Sequence, residues 1–398
     1  MPHDHLHCNN LSVEITDYCN QACTYCFQSR KVDNMHGEGF EREFMDLKSF
    51  QKVVDGMRSS DMRFESFTPY WLGEPMLHHQ RVEILRYLFD ANCQDRFFLR
   101  FHMNTNGVLM DPAVSDVLLD YAEYIESGGY EDMQINITLS IDALLPETYK
   151  AIRLVDGNQL LRVENNIRYL LARRRERGLR LPNLTYQFVV MDINKEEAQD
   201  FWLHWSSMLR SYDVPFATIS DVQYFRDRDA IFFRVEDHPD YELVMRCRRN
   251  HQEVLQRVGL LLEGEEGADS PDQQEHPSGE VDTREPCFQL WNMMVMSKDG
   301  TVVPCCKDRL FELSLGNAYK SGFAQLWRGK KLRQMRLDQI QGNFSKYAVC
   351  STCYKPPGGV VPKEHVLRYL KDIGREDLID SFLKRIGEGY QVATLSSS

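Results

Sequence analysis

Cys19, Cys23 and Cys26 stand in one short stretch, CNQACTYC, with three and then two residues between successive thiols. Three thiolates on one loop can hold three corners of a [4Fe–4S] cubane, and with no fourth cysteine nearby one iron stays open to another ligand. A zinc site would want a fourth ligand at short range and a different loop length. A second clump holds Cys287, Cys305, Cys306, Cys350 and Cys353. Four cysteines there, with Cys305 or Cys306 as the second, fit either a structural zinc ribbon or a closed iron–sulfur cluster. The chain has 11 cysteines. That odd count, in a chain without secretory features, argues against a disulfide framework and for metal or redox chemistry.

These loops need a scaffold to hold them. Residues 11–225 read as alternating strands and helices. Strand-like runs fall at Leu11–Ile15, Phe64–Leu72, Phe97–Met103, Gln134–Leu139, Leu184–Val190 and Phe216–Val222. Asp46 caps a helix whose apolar side carries Leu47, Phe50, Val53, Val54 and Met57, and Asp111-Pro112 opens another in cap-then-proline order. Lys195–Arg210 supplies a further helix. Six β/α repeats predict an α/β fold, a partial (β/α)6 TIM-like barrel with a parallel sheet. Its chemistry should sit at the C-terminal ends of the strands.

The repeat is expected to stop near Arg226. The predicted organisation is a core over 1–225, a linker or insertion over 226–286, a cysteine-bearing subdomain over 287–353 and a helical tail over 354–398. Glu263–Glu285 is acidic and rich in Gly, Pro and Ser, as a surface loop or linker is. Asp299-Gly300 signals a β-hairpin. In the tail, Val366, Leu367, Leu370 and Ile373 share one amphipathic helix, and Leu378, Ile379, Phe382 and Leu383 another. Both are expected to pack against the body of the protein, with a lid or a dimer contact as the alternative.

Composition narrows the partners. With 47 Lys and Arg against 59 Asp and Glu, the formal net charge is −12. Nucleic acid and anionic membrane surfaces are thereby disfavoured, and a polar, possibly cationic, small molecule is favoured. No apolar run approaches the ~20 residues of a membrane span. The segment MPHDHLHCNN lacks the order of a signal peptide, so a cytoplasmic location is expected.

The three-cysteine loop, placed after the first strand of a β/α array, resembles that of the radical S-adenosylmethionine (radical SAM) enzymes. The resemblance implies that the open iron chelates the methionine moiety of SAM and that an electron from the cluster cleaves the sulfonium to a 5′-deoxyadenosyl radical. Other positions match in register. Tyr25 stands where the family has an aromatic near the adenine. Gly73-Glu74-Pro75 is similar to the family's Gly-Gly-Glu segment, which meets the methionine ammonium, with Leu72 in place of the first glycine. Asn104-Thr105-Asn106-Gly107 is similar to a common turn after the third strand. Ser140 and Asp142 fall where ribose and carboxylate contacts are made, and Arg153 where a basic residue pairs with the SAM carboxylate.

The second clump resembles the twitch subdomain, a smaller relative of the SPASM domain. This implies one auxiliary [4Fe–4S] cluster on Cys287, Cys305, Cys350 and Cys353. Within the family its spacing looks most like that of aminocyclitol alcohol dehydrogenases, the 2-deoxy-scyllo-inosamine dehydrogenases. The implied reaction is oxidation of a sugar-like or aminocyclitol-like substrate, with the auxiliary cluster taking an electron and flavodoxin or ferredoxin as reductant. Cys306, next to a ligand, would instead suit an epimerase that returns a hydrogen atom from its thiol. Asp308 and Glu312 are candidate bases. Peptide modification is the third alternative, and only ten residues precede the first strand for a peptide-recognition domain. A non-catalytic metal-binding scaffold would lack the Gly73-Glu74 and Ser140 matches.

Overall fold

The computed structural model describes residues 8–26, 43–236, 241–260, 284–351, 353 and 359–387. The expectations for residues 1–7, for Glu263 to Thr283 and for Pro356 to Gly358 lie outside them. The strands are β1 (Asn10–Val13), β2 (Phe64–Thr68), β3 (Phe98–Thr105), β4 (Gln134–Ser140), β5 (Asn183–Val190), β6 (Phe216–Ile219), β7 (Asp229–Val235), β8 (Met293–Met296), β9 (Thr301–Val303) and β10 (Gly316–Asn317). The main helices are α1 (Leu47–Arg58), α2 (Arg81–Asp95), α3 (Pro112–Ser127), α4 (Pro146–Arg153), α5 (Gln159–Glu176), α6 (Ala198–Ser211) and α7 (Tyr241–Arg257). Two compact units result. One comprises Glu14–Gln51 and Phe67–Ser270, the other Met1–Val13, Lys52–Ser66 and Pro271–Ser398.

The first unit is a parallel α/β array in the order β3-β4-β5-β7-β6. Its helices form where local chemistry asks for them. Asp111 accepts from the Val114 N–H at 3.1 Å ahead of Pro112, and so closes the α3 N-terminus. Ile135, Ile137, Leu139, Tyr186 and Phe188 are fully buried on one face of the sheet. There Tyr186 meets Trp205 of α6 at 4.8 Å between ring centroids, and Phe188 meets Phe201 at the same distance.

One expectation is corrected here. The repeat does not end near Arg226: β7 follows, and it lies between β5 and β6 rather than beyond them. Asp229 at the start of β7 shows why. It forms a buried bidentate ion pair with Arg174 of α5, at 2.9 and 3.0 Å, and accepts the Leu184 N–H of β5. Losing one member of such a pair strands a buried charge, at a cost of about 3–5 kcal/mol. That partnership fixes the β7 register and is invisible in the local pattern of DAIFFRV.

In the second unit β1 pairs in parallel with β8, Asn10 opposite Met293. The expected hairpin joins β8 to antiparallel β9, and Asp299 Oδ1 accepts the Thr301 N–H across a turn in which Gly300 has φ +88°. The tail helices run Lys363–Asp372 and Ile379–Ile386. They pack within this unit: Tyr369 meets Trp291 at 4.5 Å, and Arg385 donates to the carbonyls of Arg284, Gln339 and Ile340.

Candidate active site

In the first unit the loop carrying Cys19, Cys23 and Cys26 leaves the turn after Ile15 and is held by the end of α4. The Ala22 N–H donates to Arg153 O at 3.1 Å and the Thr24 N–H to Ile152 O at 2.9 Å. These are terminal carbonyls that the helix itself cannot satisfy. Gln21, buried in the same loop, donates to Tyr149 Oη at 2.8 Å. Burial first, and then the Glu74 carboxylate, pushes the Cys19 thiol up to about 12. Burial also raises Cys23, against the pull of Arg153. Thiols that ionise poorly alone, gathered within electrostatic reach of one another, are a donor set for a cationic iron cluster, which takes the place of their protons.

Glu74 is 4 % exposed. Its Oε1 accepts from Met76 N at 3.0 Å and Thr105 Oγ1 at 2.8 Å, and its Oε2 from Asn106 N at 2.7 Å. Three donors on about four acceptor sites leave room for one more, such as an ammonium. Gly73 lies hard against the Thr16–Tyr18 backbone, and the Leu72 N–H is taken by Glu14 Oε1 at 2.8 Å. Asn106 ties the turn after β3 to the cysteine loop through Asn20, at 2.7 Å.

Asp142 and Arg153 meet each other beside the cysteine loop. Asp142 is fully buried at φ +61°, and its carboxylate accepts from Tyr25 Oη (2.6 Å), Arg153 Nη2 (2.5 Å) and Val189 N (2.7 Å). Arg153, 3 % exposed, gives its other terminal nitrogen to Cys23 Sγ at 3.1 Å. Both side chains are thus held in place by partners within the protein. Tyr25 packs against Ile152, Val189 and Met191. Ser140 accepts from Gln187 at 3.4 Å, and Asn104 Oδ1 is buried without a hydrogen-bond partner among the described residues.

The site also has a lining that sequence reasoning missed. Register places Arg100, His102 and Asn104 of β3 beside Gln134, Asn136 and Thr138 of β4, and Asn136, Thr138 and Ser140 beside Asn183, Thr185 and Gln187 of β5. Parallel strands covered on both faces are near-continuously apolar, so this polar band marks a face turned to a cavity or a ligand. The signal was in the sequence, as the alternation within LRFHMN, QINITLS and NLTYQF.

His102 is the titratable member of that band. Tyr224 Oη lies 3.2 Å from its Nδ1, Thr138 Oγ1 3.4 Å from its Nε2, and Tyr70 packs edge-on. Burial, and then Arg100, lowers its pKa to about 4, opposed by the nearby Asn104 side chain, which favours the protonated ring. In the unfolded chain an imidazole titrates near 6.5. The unfolded state therefore binds the extra proton between about 4 and 6.5, and stability falls as pH drops through that window. His102→Gln should flatten the fall in a urea-denaturation series from pH 7 to pH 4; an unchanged slope would exclude His102 as its source.

In the second unit Cys287, Cys305, Cys350 and Cys353 lie within electrostatic reach of one another; burial raises Cys287 and pushes Cys350 up to about 12. Gln339, which sequence reasoning passed over, binds two of these segments: its Oε1 accepts from Cys287 N at 2.9 Å and its Nε2 approaches Cys350 Sγ at 3.7 Å. Arg284 donates to the carbonyls of Cys350 and Cys353. Cys305, not Cys306, is the neighbour that Cys287 and Cys350 feel. A hydrogen bond between the adjacent pair raises Cys305 and lowers Cys306. The candidate base Asp308 is corrected to a loop-forming residue. It is 1 % exposed and its oxygens accept from the Glu312 and Leu313 N–H groups at 3.0 and 2.8 Å. Glu312 is exposed. Among the described residues no helix is long and apolar enough to cross a membrane.

Family comparison agrees with these two centres. Residues 13–201 match the radical SAM superfamily and residues 287–354 the SPASM iron–sulfur cluster-binding domain. The chain belongs to the radical SAM superfamily and carries a SPASM-type domain. Its cofactors are accordingly a [4Fe–4S] cluster, SAM and auxiliary iron–sulfur chemistry.

Among curated relatives, GTP 3′,8-cyclase 1 of Mycobacterium tuberculosis (strain ATCC 25618 / H37Rv) is 27% identical over 143 residues, 36% of this chain and 34% of that protein. The probable GTP 3′,8-cyclase of Methanocaldococcus jannaschii is 24% identical over 191 residues, 48% of this chain and 53% of that protein. The chain thus spans only a third to a half of these relatives. Among solved structures, BtrN in complex with AdoMet and 2-DOIA is 14% identical with TM-score 0.42, covering 87% of this chain and 93% of that one. Native anSMEcpe with bound AdoMet is 15% identical with TM-score 0.49, covering 94% and 99%.

Proposed function

We propose that the protein oxidises a polar, hydroxyl-rich small molecule, such as a sugar or aminocyclitol, at one carbon. The polar band on β3, β4 and β5 carries this reading, because its amides, hydroxyls and neutral imidazole suit a polyol better than an apolar or strongly charged ligand. Cys19, Cys23 and Cys26 would hold the core cluster, and Cys287, Cys305, Cys350 and Cys353 the auxiliary one. When bound, the core cluster with SAM supplies a 5′-deoxyadenosyl radical, and the auxiliary cluster supplies an electron sink. Glu74, with its spare acceptor site, would orient the methionine ammonium, and Asn104 Oδ1 would accept from ligand. His102, neutral at physiological pH, would take the substrate's proton in place of Asp308.

The balance is one hydrogen atom, one proton and one electron removed, so the product is two hydrogens lighter than the substrate. Reconstituted enzyme should be incubated with SAM, dithionite and a panel of polyols and aminocyclitols in D2O, and the products weighed. A loss of two mass units is the expected result. The Cys306 thiol, next to the candidate ligand Cys305, would suit epimerisation as the second reading, because its S–H can return a hydrogen atom to a substrate radical. An isomeric product carrying one solvent deuterium, lost in Cys306→Ala while 5′-deoxyadenosine still forms, would establish that reading and overturn the oxidation.

A further inference from the structure

We infer that Arg153 sets the reduction potential of the core cluster through a hydrogen bond to Cys23, an inference that rests on Cys23 being a ligand. The guanidinium is 3 % exposed and divided between two acceptors: Nη2 on Asp142 at 2.5 Å, and Nη1 on Cys23 Sγ at 3.1 Å. Its orientation is over-determined. Asp142 is itself pinned by Tyr25 Oη and the Val189 N–H, and its carbonyl by Asn194 Nδ2 at 2.8 Å. It holds a left-handed backbone, φ +61°, which is uncommon outside glycine and persists only where surroundings impose it. The rings of Tyr25 and Tyr149 flank the guanidinium at 5.7 and 6.0 Å. Neither nitrogen can turn away without breaking a buried ion pair.

The consequence follows from charge. Reduction adds one electron to a cluster ligated by thiolates. A fixed N–H donor bearing positive charge on one sulfur favours the more negative, reduced state and so raises the potential. The same residue offers its backbone carbonyl to the Ala22 N–H, so the donor and the ligand loop move together. Lysine could not do this, because a single ammonium cannot serve two separated acceptors in a fixed plane. Arg153 is thus a positioning and tuning residue for the cluster, and its side chain does not need to touch SAM.

The test is an EPR-monitored redox titration of the reconstituted full chain, following the cluster whose signal changes when SAM is added. Arg153→Met/Asp142→Asn removes both buried charges together, and asparagine tolerates the left-handed backbone at 142. At the potential where the wild-type cluster is half reduced, its ratio of reduced to oxidised cluster should fall by roughly tenfold, as about 59 mV does for one electron. Arg153→Lys, held by Asp142 but short of Cys23, should fall part of the way. An unchanged ratio in either variant overturns the inference, because a role in packing alone would leave the potential where it was. Cys23→Ala separates the premise: if the SAM-responsive signal survives it, Cys23 is not a ligand and that assignment fails first.

Discussion

Replacing Cys19, Cys23 and Cys26 together by alanine is expected to abolish 5′-deoxyadenosine formation and to remove about half of the bound iron, since each cubane holds four irons. The two candidate ligand sets lie in different compact units, each with its own supports. The α4 carbonyls and Arg153 hold one, and Gln339 and Arg284 hold the other. Loss of the first cluster should therefore leave the second loaded. Colorimetric iron and sulfide determination on anaerobically reconstituted protein reads the first quantity, and chromatography of the nucleoside product reads the second. Complete loss of iron with an unchanged circular-dichroism spectrum would mean that the chain carries one cluster, and iron fully retained would remove these three cysteines from the ligand set.

Gly73→Ala should be among the most damaging single substitutions in the first unit. A Cβ at this position would stand 2.1 Å from Thr16 O, 2.7 Å from Tyr18 O and 2.9 Å from Asp17 Cα. All three obstacles are backbone, so no side chain can rotate aside. The neighbouring Glu74 N–H donates to Tyr18 O at 2.8 Å, which locks the two segments at that approach. Overpacking of this kind costs about 3 kcal/mol or more, and a melting temperature lower by roughly 6 °C or more is expected. Because the displaced residues lead directly into Cys19, iron loading of the core cluster should fall as well. Gly56→Ala is the matched control. Nothing lies within 4 Å of its Cβ in the last turn of α1, so alanine there should raise stability by up to about 0.5–1 kcal/mol. A Gly73→Ala protein that melts with the wild type would show that the cysteine loop yields freely.

The two cysteine clusters, the Asp111-Pro112 helix start and the Asp299-Gly300 hairpin were legible in the sequence because each depends on a few residues close together in the chain. The spacing of Cys19, Cys23 and Cys26 and the unpaired state of the cysteines likewise need no distant partner. What required the tertiary structure is whatever depends on residues far apart in sequence. β7 was missed because its place is set by Asp229 meeting Arg174 of α5, 55 positions away. Asp308 read as a base and proved to be a buried loop anchor, because a carboxylate looks the same in a sequence whether its oxygens meet water or its own backbone N–H groups. That the Arg153 guanidinium also reaches Cys23, 130 positions earlier, is shown only by the fold. The polar band is intermediate: its alternation is written along each strand, but that the polar residues share one face was decided by register. Local spacing determines which chemistry the chain can carry, and burial with long-range pairing decides which residues are left to perform it.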